Sequence, residues 1–184
     1  MRSAYTLSAP DCDKHYFEFA PSSLFCPECD SYVGAEEFVP QLDLRQCKLD
    51  FCFTCDGQLL VSQRGMACLS QHCSTPLRFA TVDESAGFHS LSVESKVAFD
   101  YVRRKTKFER KCPVCGNYES IVGATPAFIL RSDKVHEMGM YRTDICFGSG
   151  REKSPIIVVG AALKSCLTHE FPELDFRGVN PAPR

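Results

Sequence analysis

Cys26-Pro27-Glu28-Cys29 and Cys112-Pro113-Val114-Cys115 are the stretches on which the reading of this 184-residue chain turns. A Cys-x-x-Cys turn offers two thiolates to one ion, and two such knuckles complete a tetrahedral four-sulfur zinc site closed to substrate. Each knuckle here opens a segment, and the two segments match downstream. Asp50-Phe51-Cys52-Phe53 recurs as Asp144-Ile145-Cys146-Phe147, and Leu59-Leu60-Val61 as Ile157-Val158-Val159. Cys68-Leu69 recurs as Cys166-Leu167, and Leu77-Arg78-Phe79 as Leu174-Asp175-Phe176. The pattern predicts a duplicated unit that carries half of a metal site per copy, residues 1–83 and then 84–184, packed as one globular body.

Within each unit the expected order is strand, zinc knuckle, strand, helix, strand. The apolar runs Tyr16–Phe19 and Val97–Tyr101 alternate as strands do and lead into the knuckles. After a linker come the Asp-x-Cys-Phe strand, a turn at Asp56-Gly57 or Gly148–Gly150, and a short apolar strand. Apolar residues at helical spacing then predict helices over about Gln63–Cys73 and Ala161–Glu170, each stopped by a following proline. The expected fold is α+β, two related units in a pseudo-twofold arrangement. The Pro181–Pro183 tail is expected to fray.

The twelve cysteines allow more than one site. Cys26, Cys29, Cys112 and Cys115 would clamp one copy to the other. The rival is a local ribbon of Cys26, Cys29, Cys52 and Cys55, which leaves Cys112 and Cys115 to Cys68, His72 or Cys73. The repeat favours the cross-copy set, because Cys52 matches Cys146 in an apolar strand and Cys55 has no counterpart. Cys52, Cys146, Cys68 and Cys166 then read as small core residues. A redox Cys-x-x-Cys fits poorly, since polar linkers rather than helices follow the knuckles. The five histidines are scattered, and His72 alone lies near spare cysteines.

Composition excludes little but points one way. A formal charge of −2 gives no global pull toward nucleic acid or anionic membrane. No stretch suits a bilayer span, and Met1–Pro21 holds no apolar signal core. Many cysteines without an export signal predict a reducing cytoplasm, where spaced cysteines bind metal. No phosphate loop or nucleophile elbow is present, and Asp50 and Asp144 read as turn or cap residues, so no enzyme is expected. The basic run Arg103–Lys111 beside the second knuckle keeps a zinc-ribbon nucleic-acid or transcription-associated protein as the alternative.

The second knuckle with its Gly116, and the segment Ser154–Val159 through Leu174–Val179, resemble a group of bacterial double Cys-x-x-Cys proteins related to immunity proteins of polymorphic-toxin systems. The resemblance implies a cytoplasmic, non-enzymatic protein that binds and neutralises a cognate toxin, with structural zinc. The first knuckle departs from that pattern, with Asp30 where glycine would follow the second cysteine.

Overall fold

The computed structural model describes residues 4–35, 37–130 and 134–180, and the Pro181–Pro183 tail lies outside them. In chain order the elements are β1 (Ala4–Ser8), β2 (Phe51–Phe53), β3 (Leu59–Ser62), α1 (Gln63–His72), β4 (Leu77–Asp83), β5 (Phe88–Val93) and β6 (Lys96–Val97). There follow α2 (Tyr101–Arg104), β7 (Lys107–Lys111), β8 (Tyr118–Val122), β9 (Met140–Ser149), β10 (Ser154–Gly160), α3 (Ala161–Glu170) and β11 (Asp175–Gly178). The chain is α+β with two sheets. The smaller runs β2-β3-β5-β4; the larger runs β11-β1-β10-β9-β8-β7, with β6 beside β9. Among the described residues no helix is long and apolar enough to cross a membrane.

Both sheets contain the same local path. A hairpin (β2–β3 or β9–β10) feeds directly into a helix, and the helix returns to a strand two places along. The strand between is antiparallel to both neighbours, β5 in the small sheet and β1 in the large one. Sheet membership therefore crosses residue 83: β1 lies in the large sheet, while β5 lies in the small one. Local chemistry starts the helices where they start. Ser62 caps α1 by accepting from the Gly65 N–H at 3.1 Å. The Asp50 carboxylate accepts from the Ser62 hydroxyl and from Arg64, tying β2 to the helix start.

One apolar core joins the sheets. Phe51, Leu59, Val61 and Leu69 meet Met140, Ile157, Val159, Leu167 and Phe171. The Phe51 and Phe171 rings pack edge to face at 4.8 Å, a geometry that adds to simple area burial. Arg64 spans the two helices: it lies over the Phe171 ring and donates to the Glu170 carbonyl at the end of α3.

The structure corrects several local expectations. Tyr16–Phe19 is a turn, not a strand. The N–H groups of Tyr16 and Phe17 donate to the buried Asp56 carboxylate at 2.9 and 2.8 Å, so no ladder takes them. Val97–Tyr101 is only partly extended, because β6 ends at Val97 and Asp100 caps α2 through the Arg103 N–H. The basic run is split between α2 and β7 rather than forming one strand. The Asp50–Phe53 match is also out of position. Hairpin pairing sets Phe51 opposite Val61 and Met140 opposite Val159, and each valine stands two residues before its helix. Cys52 therefore takes the place of Tyr141. Cys146 sits farther along, opposite Pro155 at a bulge.

Asp83 provides a test of this frame. The N–H of Leu44, the Ser85 hydroxyl and the Ala86 N–H all donate to its carboxylate, which holds its pKa below the ordinary value. A depressed folded-state pKa contributes stability that is present above the unfolded value near ~3.9 and is lost as pH falls through the folded one. Asp83→Asn is expected to cost about 1–3 kcal/mol at pH 7. It should also flatten the acid limb of urea-unfolding stability below pH 4; an unchanged pH profile would contradict this role.

Candidate metal centre

The first knuckle follows a short helical turn at Ser22–Leu24, and the second forms the tip of the β7–β8 hairpin. Their backbones close alike. Cys26 N–H donates to Ser31 O and Asp30 N–H to Cys26 O; Cys112 N–H donates to Asn117 O and Gly116 N–H to Cys112 O. Both turns need a left-handed residue after the second cysteine. Gly116 supplies it at φ 75°, and Asp30 supplies it at φ 54°. Aspartate is among the few side chains that visit this region readily, so the departure from glycine leaves the knuckle intact.

The four sulfurs of Cys26, Cys29, Cys112 and Cys115 all lie within 4.8 Å of one another. Across the two segments, Cys26 Sγ is 3.7 Å from Cys112 Sγ, and Cys29 Sγ is 3.5 Å from Cys115 Sγ. A disulfide needs about 2.05 Å, so these are not disulfide spacings. Zinc–sulfur bonds of about 2.3 Å in a tetrahedron place sulfurs ~3.8 Å apart, which fits. The four thiols are thus arranged to hold a metal ion such as zinc, and they supply a complete tetrahedral set.

The surroundings favour a thiolate at Cys29. Burial pushes the Cys29 thiol up, but the Ser31 hydroxyl and N–H, with Cys115 and Cys112, bring it down to about 6. Cys115 receives the Asn117 N–H, yet burial and its three thiol neighbours raise it to about 11. Crowded sulfurs cannot all ionise unless a cation joins them. Lys153 brings positive charge close. Its Nζ donates to Ser31 Oγ at 2.6 Å and to the Tyr118 carbonyl at 2.5 Å. Because the ammonium can only donate, the Ser31 hydroxyl proton is free for Cys29 Sγ, 3.1 Å away. Arg151 pairs with Asp30 at 2.7 Å and lies over the Phe25 ring, fixing the outer side of the first knuckle.

The other cysteines stay outside this cluster. Cys52 is fully buried, and contact with Cys12, then burial, raise its pKa, the reverse of what a ligand needs. Cys55 is exposed, with Sγ 3.6 Å from Asp11 Oδ1. Cys68 is buried in the core, Cys73 contacts Thr75, and Cys146 and Cys166 are half-buried. Among the described residues no second group of three ligands converges, so neither the local ribbon nor a site with His72 forms. Asp50 and Asp144 are apart in role: Asp50 anchors the α1 cap, while Asp144 accepts from the Phe99 N–H. Ser31, Lys153 and Arg151 carried no signal in the sequence, because only folding brings β10 and the turn before it against the first knuckle. Comparison with family models, curated proteins and solved structures finds no match.

Ser31→Ala and Lys153→Met are each expected to weaken metal affinity by about 10–100-fold, as removal of outer-shell partners does. Competition against a chromophoric chelator measures it. Affinity equal to wild type in both would remove the relay.

Proposed function

We propose that this chain is a non-enzymatic, zinc-stabilised protein-binding protein, an immunity protein that binds and neutralises a cognate bacterial toxin. The observation that carries the reading is the four-thiol cluster, which spends all its ligands on the protein itself. A closed site of this kind is structural and contributes folding free energy on the order of 10 kcal/mol. The ion would staple residues 24–34 to the β7–β8 hairpin, and the function then falls to the surface so supported.

A pseudo-twofold pair of units is the arrangement we infer around that staple. The equal placement of each helix after its hairpin, the equal knuckle hydrogen bonds and the inserted strands support it. The registers agree too: Val61 faces His89 as Val159 faces Tyr5, and Phe79 faces Leu91 as Phe176 faces Leu7. The core pairs Phe51 with Met140, Leu59 with Ile157 and Leu69 with Leu167 at these matched positions.

The nucleic-acid alternative is the weaker reading because much of the basic run is engaged. Arg103 lies over the Phe128 ring, Arg104 donates to the Thr125 carbonyl, and Arg110 pairs with Glu119. The lysines of β7 stand on a sheet edge, where charge also blocks edge-to-edge pairing.

One zinc per chain is expected by elemental analysis. Serine at Cys26 or Cys112 should release it and lower the unfolding midpoint of the whole chain, whereas Cys55→Ser should leave it in place; zinc loss in Cys55→Ser would sink the cross-segment site. For the activity, co-expression with a toxin-domain protein encoded beside it should restore growth and give a stable complex. No protection, together with low-salt binding to DNA or RNA that weakens when Arg103, Arg104 and Lys105 are neutralised, would favour the alternative.

A further inference from the structure

Between the two sheets lies a cleft of about 880 Å³, continuous in its lining with a smaller cavity of about 410 Å³. One wall is built by β4, β5 and the loop residues Gly34, Ala35, Glu37 and Phe38, with Arg78 and Ser92; the other is built by β8, β9 and β10, with Tyr118, Arg142 and Pro155. Four cationic side chains line it, Arg78, Arg142, Arg151 and Lys153, against two carboxylates, Glu37 and Asp144. This local excess stands in a chain whose formal charge is −2.

The cations are not equally committed. Arg78 pairs with Glu37 at 3.1 Å and Glu94 at 2.9 Å, Arg151 pairs with Asp30, and Lys153 serves the sulfur cluster through Ser31. Arg142 differs. Its Nε donates to the Val93 carbonyl at 3.0 Å, which fixes the guanidinium plane, and among the described residues no carboxylate pairs with it. It lines both cavities. A part-buried guanidinium held in place without a counter-ion is a ready fork for a carboxylate.

We propose that this cleft takes an acidic segment of the protein partner, with Arg142 pairing a carboxylate and the half-buried Ile121, Ile145 and Pro155 packing its apolar residues. The inference rests on the protein-binding reading above and names its surface. A peptide suits the cleft better than a nucleic acid. Glu37 and Asp144 would repel an unbroken phosphate backbone. Tyr16, Phe17 and Phe38 spend their ring faces on one another at 5.2–6.3 Å rather than offering open stacking platforms.

The test uses the full-length, zinc-loaded chain and a fluorescein-labelled peptide of alternating glutamate and leucine, beside its lysine counterpart and a labelled oligothymidine. Fluorescence anisotropy should show binding of the acidic peptide alone. Arg142→Gln should weaken it at least tenfold, and Arg142→Lys, which keeps the charge but loses the fork, should restore only part of it, with zinc content and near-ultraviolet circular dichroism unchanged in both. Amide shifts on titration should cluster at Ser92, Tyr118 and Arg142. No binding of the acidic peptide, equal binding of the lysine peptide, or an Arg142→Gln variant that binds as wild type overturns the proposal. Preference for oligothymidine overturns it in favour of nucleic acid. A chain that neutralises its toxin yet ignores the acidic peptide sinks this inference alone; a chain that takes the peptide but protects against no toxin sinks the immunity reading alone.

Discussion

Four sulfurs held within 4.8 Å of one another are the constraint on which much of this molecule rests. As neutral thiols they offer only weak hydrogen bonds to each other; as thiolates they repel strongly unless a cation sits among them. The segment between β1 and β2 is held mostly by loop hydrogen bonds and side-chain packing rather than by sheet or helix. Among its described residues it forms no strand or helix apart from one short turn at Ser22–Leu24, with isolated bridges only at Asp11–Phe53 and Phe25–Tyr32. Its order comes from the knuckle, from the Asp56 and Asp83 carboxylates that receive its N–H groups, from backbone bonds such as Cys12 N–H to Phe53 O and Leu42 N–H to Val82 O, and from packing of Phe17 and Leu44 into aromatic and apolar clusters. A metal–thiolate clamp fits such a segment because it fixes the chain with few residues.

The two sheets depend less on the clamp. Their shared core is built from strand and helix positions that are apolar for the usual reason, and Phe51, Val61, Leu69, Val159 and Leu167 would bury against something in any fold of this sequence. What the clamp adds is at the far edge, where β7 and β8 extend the large sheet past β9. That hairpin carries exposed residues along most of β7. With a weak apolar anchor of its own, it relies on Cys112 and Cys115 at its tip and on the Lys153 bond to the Tyr118 carbonyl.

The knuckles, both long helices and the strands before them were legible in the sequence because each is written in neighbouring residues. Ala161–Glu170 is bounded by the β-strand before it and Pro172 after it, and Gln63–His72 by Ser62 and Pro76. Cluster membership was legible in the two Cys-Pro-x-Cys knuckles themselves, although the match of Cys52 to Cys146 that set Cys52 aside does not hold in register. What escaped was non-local. Tyr16–Phe19 alternates as a strand should, but Asp56, far along the chain, claims its N–H groups. The match of Asp50–Phe53 with Asp144–Phe147 shares residue types and not pairing position, a distinction only register reveals. The use of β1 in one sheet and β5 in the other at the equivalent place has no local signature at all.

The staple and the cleft belong to one mechanical unit. Ser31, Tyr32, Gly34 and Ala35, which follow the first knuckle, form part of one wall, and Phe108, Tyr118 and Ile121 of the hairpin that carries the second knuckle form part of the other. An ion that fixes the sulfurs therefore fixes the separation of the walls at one end, while the common core of Leu59, Leu91 and Ile157 fixes it at the other. A cleft held at both ends loses less conformational freedom when a partner enters, so more of each contact appears as affinity. On the proposed protein-binding reading, a metal held there would contribute to recognition without touching the partner, and a structural site far from any chemistry would set how tightly the partner is held.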